Sequence, residues 1–140
     1  MLKTGRIIMF SIFSVNTFAA LGDRAEFYQV QKNLVITADY AVHETEKNQV
    51  LIREYVANGV VFAVAWEGMT QPNLTELLGK YFGDYQESAV QTPKVRGMRF
   101  QRRVQGEGVV VETYGHMRSM QGRAYAPALM PKGVSADEIK

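Results

Sequence analysis

Few side chains in this sequence can do chemistry, and they are thinly spread. Residues 20–140 contain two histidines, His43 and His116, and three serines, Ser88, Ser119 and Ser135. Glu54 stands out by position, because it interrupts the apolar alternation of Ile52 and Val56 in a β-rich run. A carboxylate on a face that becomes buried needs a partner or takes up a proton. Beside an imidazole such as His43 it would form a proton-transferring couple. Arg53, on the opposite face of the same run, would offer an anion a forked donor. His43, Glu54, Arg53 and His116 are therefore the candidate binding residues. A metal site built from His43, His116 and Glu54 would lack any recognisable ligand spacing, and no metal is assigned.

The catalytic vocabulary is otherwise missing. The chain has no G-x-S-x-G elbow, phosphate-binding loop, G-x-G-x-x-G or H-E-x-x-H. A Ser–His–acid triad would have to be assembled from distant loops. Cysteine is absent, which removes disulfide scaffolds, thiolate metal sites, iron–sulfur clusters and cysteine nucleophiles. The residues nominate no catalytic group and no cofactor.

Strands and one helix must position these candidates. Residues 34–43 alternate and are rich in β-branched and aromatic side chains, which predicts a first strand. Residues 49–56 predict a second, and residues 60–66 a third that is apolar on both faces and therefore central. Asn58-Gly59 between them is a type I′ hairpin signal. A two-residue loop there sets Ala57 against Val60, Tyr55 against Phe62, Arg53 against Val64 and Leu51 against Trp66 on one face. The other face then pairs Val56 with Val61, Glu54 with Ala63 and Ile52 with Ala65. With residues 46–49 as the first turn, His43 falls opposite Ile52 and diagonal to Glu54. Glu44 falls opposite Leu51 and diagonal to Arg53.

Leu74, Leu77, Leu78, Tyr81, Phe82 and Tyr85 then recur at helical spacing. Asn73 is placed as the N-cap with Glu76 as its capping-box partner, and Gly83 weakens the helix end. Residues 86–97 read as a loose crossover. Residues 98–104 and 109–114 read as strands, with 115–120 extending the second. Gln121-Gly122 reads as a turn into a short last strand, 123–126, stopped by Pro127. Residues 127–140 read as a loose tail in which Ser135 and Glu138 allow at most one helical turn. The βββ-α-βββ order predicts an α+β fold, an antiparallel sheet with one amphipathic helix packed on one face.

At 140 residues, 46% of them hydrophobic and 21% charged, the chain is long enough for one domain with a real core. The first 19 residues read as something else. Lys3 and Arg6 precede an uncharged apolar run, residues 7–15, and Thr17 and Ala19 satisfy the small-x-small rule for a cut between Ala19 and Ala20. A spanning helix needs about 20 apolar residues; the stretch 7–20 is shorter and contains Asn16. The expectation is a cleaved secretory signal, residues 1–19, followed by a single domain, residues 20–140, with no stable membrane span.

Losing Lys3 and Arg6 leaves as many acidic as basic residues, so the formal +2 falls to zero. The charge is uneven, with Lys94, Arg96, Arg99, Arg102 and Arg103 close together. Export and the single aromatic in that cluster, Phe100, disfavour nucleic acid, since bases would have little to stack on. A solvated segment facing the acidic half of the molecule is the expectation.

Several strings taken together resemble a known family: Ala20-Leu21-Gly22, Val42-His43-Glu44, the sequence Arg53 to Val56, Val61 to Trp66, Leu77 to Phe82, Gly115 to Arg118, Gly122 to Tyr125, and Pro131 to Ile139. The family is a set of small exported proteins of Gram-negative bacteria known as domain of unknown function 2844. The resemblance implies export and a single domain. It implies no activity, cofactor or catalytic residue. Family members often carry a small Gly/Pro/Ser turn where this chain has residues 46–49.

The expected function is a non-enzymatic envelope protein, periplasmic or secreted, that binds another envelope protein or a small ligand. Two alternatives are a small hydrolase or isomerase using Glu54 and His43, and a structural module that self-associates through strand edges. The address is directly testable. Intact mass of native protein should correspond to a chain starting at Ala20, and Ala19→Phe should block processing so that precursor accumulates in the membrane fraction. Native protein that keeps Met1 would overturn the reading.

Overall fold

The computed structural model describes residues 19–25, 34–36, 39–94 and 101–140, the backbone alone at 34–36. Residues 1–18 of the proposed 1–19 signal and the candidates Arg96, Arg99 and Phe100 lie outside the described residues. The strands are β1 (Leu34–Ile36), β2 (Ala41–Lys47), β3 (Val50–Ala57), β4 (Val60–Gly68), β5 (Arg102–Gln105), β6 (Val110–His116) and β7 (Ser119–Tyr125). Between β4 and β5 run α1 (Leu74–Leu78), a 3-10 turn (Gly79–Tyr81) and α2 (Phe82–Gln91). All strand pairs are antiparallel, in the order β1-β2-β3-β4-β7-β6-β5. This is the α+β arrangement expected, with β4 central as its apolar sequence requires. The first expected strand divides in two, because the chain folds back so that Ile36 pairs with Ala41.

Two registers differ from expectation, and both differences come from turn chemistry or a bulge. The first hairpin closes on two residues, Asn48 and Gln49, both at positive φ (53° and 63°), rather than on residues 46–49. His43 therefore sits directly opposite Glu54, and Glu44 directly opposite Arg53. In the second hairpin the Asn58-Gly59 turn sets Ala57 on Val60 and Val56 on Val61 as expected. A β-bulge at Phe62 then shifts the ladder, so Tyr55 meets Ala63, Glu54 meets Val64 and Ile52 meets Trp66. A shift of one residue moves every later side chain to the other face. Val64 and Trp66 thereby join Val50, Ile52 and Val56 in one core cluster, and Phe62, Ala63 and Ala65 join Tyr55 in the other.

The helix covers the first cluster. Asn73 Oδ1 accepts the Thr75 N–H at 3.1 Å, and its amide donates to Glu76 Oε1 at 3.2 Å, so the expected cap forms with side chains alone closing the box. Leu77 and Leu78 are fully buried, while Leu74, Tyr81, Phe82 and Tyr85 pack partly buried beside them. Gly83 does not end the helix. The local break is at Gly79, whose φ of 52° suits glycine and where a Cβ would lie 2.9 Å from Ala20 Cβ. Residues 86–91, expected as crossover, are helical.

The last hairpin also turns earlier than expected, at Met117-Arg118, with Arg118 at φ 65°. Gln121 and Gly122 are mid-strand. Gly122 is opposite Trp66, and a Cβ there would fall 2.2 Å from the indole ring and 2.9 Å from the Glu112 carbonyl oxygen. Glycine is present to let the indole lie flat on the backbone of β7, not to turn the chain. Gly122→Val should therefore destabilise by about 3 kcal/mol, read as a lower urea midpoint at unchanged slope.

Candidate functional site

Two short segments, residues 19–25 and 127–140, complete the layers that enclose the sheet. On the helix side residues 19–25 form a plug. Leu21 is fully buried and its N–H donates to the Leu77 carbonyl at 2.8 Å, satisfying an acceptor that the broken helix leaves open. The Gly22 N–H donates to Val61 O at 2.8 Å, and Val61 N–H returns a bond to Asp23 O at 3.0 Å. Within residues 19–25 the one large apolar residue, and so the one sequence signal of docking, is Leu21.

Beneath this layer lie His43 and Glu54, exposed by only 3% and 4%. Directly opposed residues have Cβ atoms about 5 Å apart, so the two side chains are brought together as neighbours on one buried face. Burial pulls the His43 pKa down and keeps its imidazole neutral. Burial pushes the Glu54 carboxyl up to about 7, and a hydrogen bond from the Ala19 backbone N–H partly counters that rise. Glu54 Oε1 has no hydrogen-bond partner among the described residues. The sheet face that carries Glu54 is thus enclosed and not open to water. Neither His43 nor Glu54 lines the three surface clefts formed by the described residues.

The other two candidates lie elsewhere. Arg53 is on the opposite face, bonded through Nε to Glu44 Oε1 at 2.9 Å and through a terminal nitrogen to the Lys140 carbonyl at 3.2 Å. His116 ends β6, exposed, four strands from β2 and hence about 19 Å away. His43, His116 and Glu54 therefore do not converge on one ion. In the basic stretch, Arg103 pairs with Glu112 at 2.9 Å and Arg102 donates to the Ala89 carbonyl, so these charges are met locally and not by the acidic half of the chain.

Arg53 opens onto a different site. Residues 127–140, expected as a loose tail, are docked as a strap across the second face. Ile139 is fully buried, Ser135 and Glu138 form a complete capping box, and Tyr55 Oη bonds both the N–H and the carbonyl of Lys140 at 2.9 and 2.8 Å. The Arg123 guanidinium reaches the Ala136 and Ile139 carbonyls. Tyr40, Tyr55 and Phe62 stack under the strap at centroid distances of 5.7 to 6.2 Å. Leu129, Met130, Val134, Ala136 and Ile139 lie in no long strand or helix, so alternation could not reveal this docking, which Tyr55 and Arg123 complete by bonding the strap's backbone.

Where strap and sheet part, they leave a cleft of about 700 Å³ whose lining includes Arg53, Tyr114, Gln121, Arg123 and Asp137. Its arginines are already matched: Arg53 by Glu44, and Arg123 by Glu112 with Asp137 at 3.7 Å. Gln121 donates to Glu67 at 3.2 Å. These three side chains have partners they can exchange, beside the ring of Tyr114. Sequence reasoning missed Tyr114, Gln121 and Arg123 because the misplaced turn put Gln121 in a loop. Alternation along residues 110–114 and 121–125 was the signal.

A family model described as "Protein of unknown function (DUF2844)" matches residues 17–139. The chain belongs to the DUF2844 family. The match covers the plug, the sheet, the helix and the strap, so both enclosing layers belong to the family domain. No curated protein and no solved structure matches the chain. Among the described residues no helix is long and apolar enough to cross a membrane.

The buried carboxyl makes stability depend on pH with a definite sign. In a chain with the Ala19–Ala20 bond intact, the folded state holds the Glu54 proton up to about 7, whereas the unfolded state releases it near 4.5. The contribution is therefore fully present below pH 4.5 and lost as pH rises through 7, a change of about 3 kcal/mol. Relative to its parent, Glu54→Gln in a chain starting at Asn16 should gain stability by about that amount between pH 4.5 and 8. Urea titrations at both pH values measure it, and the opposite contribution of His43 cancels in the difference.

Proposed function

We propose that this protein is an exported envelope protein, periplasmic or secreted, and that it works as a non-enzymatic binding module. The observation that carries the reading is the cleft between sheet and strap, whose arginines are already neutralised by carboxylates. Such a lining suits a polar ligand of no net charge, with one flat or apolar face for Tyr114: a small molecule, or a segment of another envelope protein. The signal-like residues 1–19 support export, and a family match that begins at residue 17 fits a domain beginning near the expected cut.

His43 and Glu54, on which an enzymatic reading would rest, are exposed by only 3% and 4%, and neither lines a cleft formed by the described residues. Edge-to-edge self-association is disfavoured at β5, where Arg102 and Arg103 place charge on the edge strand.

The test is a melting screen of purified protein against a metabolite and glycan panel, together with capture from periplasmic extract. Tyr114→Ala should abolish a ligand-induced shift or the capture while leaving the unliganded melting point within a few degrees. A panel without shifts and an extract without a partner would overturn the reading.

A further inference from the structure

We propose that Glu54 is a built-in receptor for the α-ammonium group that export processing creates at Ala20. The inference rests on the export reading above and deepens it, by giving the cut a role in the finished fold.

The geometry starts from Glu54 itself, 4% exposed, with one carboxylate oxygen lacking any hydrogen-bond partner among the described residues. The group that does reach it is the backbone N–H of Ala19. That residue belongs to the leader and leaves with it. The next backbone nitrogen is that of Ala20, one residue along the chain at a Cα spacing of about 3.8 Å. Its place is held independently of the leader, because Ala20 O accepts the Asp23 N–H at 3.0 Å and Leu21 is locked to Leu77 at 2.8 Å.

Signal peptidase would hydrolyse the Ala19–Ala20 bond with one water. The Ala19 carboxylate departs with the leader, and the Ala20 amine takes a proton, since such amines have pKa values near 8, roughly. Three N–H donors and one positive charge then replace a single neutral N–H beside a buried carboxylate. An unpaired buried charge is costly, whereas a close, hydrogen-bonded opposite charge offsets its desolvation.

Among the described residues, the charges of the helix and of β2 over this face are committed elsewhere. Lys47 and Glu76 pair with each other at 2.9 Å, Lys80 Nζ donates to Gly22 O at 3.3 Å, and Asp84 accepts the N–H groups of Glu107 and Gly108. Asp23 and Arg24 follow in the plug with their side chains exposed, the Arg24 backbone forming a β-bridge with Val60. His43, held neutral by burial, stands opposite Glu54 in the ladder and supplies no charge. The new terminus would be the cation that turns Glu54 from a liability into an anchor for the plug.

The experiment compares two proteins, each expressed from the full gene with its own leader. One is the native chain, and the other carries Ser-Gly inserted between Ala19 and Ala20, which moves the ammonium away while keeping the cleavage site. Glu54→Gln is made in both. In the native chain it should lower the melting point at pH 8, and in the inserted chain raise it, by several degrees each way. The Ala20 amine of native protein should acylate at neutral pH about tenfold more slowly than in Glu54→Gln, equivalent to one pKa unit. Equal acylation rates, or a shift of the same sign in both backgrounds, would overturn the proposal.

Intact mass identifies each N-terminus, and the same measurements on chain released at Ala20 from a removable fusion separate the two readings. A sign reversal there, with native protein that keeps residues 1–19, would sink export but support the pairing. Native protein that starts at Ala20 without the reversal would sink the pairing alone.

Discussion

The structure depends on one irregularity, the bulge at Phe62 in the central strand. An unbroken ladder from the Asn58-Gly59 turn would put Phe62, Val64 and Trp66 on one face and leave Val61, Ala63 and Ala65 on the other. Such a sheet would have one crowded face and one nearly flat. The bulge divides the large residues instead, with Phe62 to the strap side and Val64 and Trp66 to the helix side. Both faces then carry enough bulk to bind a second layer, and close packing on each follows. Gly122 is the counterpart of that choice, since the indole that the bulge sends to the helix side needs a strand without a side chain beneath it.

Two covered faces need two covers, and one helix supplies only one. Two short segments complete the enclosure. Residues 19–25 close the gap that the broken helix leaves over β3 and β4, and residues 127–140 lie across the opposite face. Both covers combine hydrogen bonds at their backbone with a fully buried aliphatic residue, Leu21 in one and Ile139 in the other, and the strap adds Leu129, Met130, Val134 and Ala136 against the core. A carboxylate lies buried on the helix-side face beside Ala19, and a cleft opens where the strap and sheet separate.

The same topology explains why the four candidate residues divide as they do. Successive residues of a strand point to opposite faces, so Arg53 and Glu54 cannot share a site. Glu54 and His43 meet because two-residue turn geometry aligns them, and they become inaccessible for the same reason that they meet: that face is the one covered first. Arg53 escapes burial because the strap arrives by its own carbonyls and leaves space beside them.

Local pattern alone determined the strands, the Asn58-Gly59 turn, the Asn73 cap, the helix stripe from Leu74 to Tyr85 and the centrality of residues 60–66. Each of these is written in neighbours within a few positions, where propensity and periodicity act. The bulge, the two early turns, the role of Gly122 and the docking of both termini were decided only by tertiary structure. Asn48-Gln49 and Met117-Arg118 lack the glycine that announces a tight hairpin, so positive φ there is imposed by the pairing of the strands on either side. Gly122 looks like a turn residue until the ring that needs its space is known to be Trp66, 56 positions earlier in the chain. Glu54 was visible as an anomaly in its strand. Whether it would face water, a histidine or the start of the chain depended on which layer came to rest above it, and no local pattern carries that information.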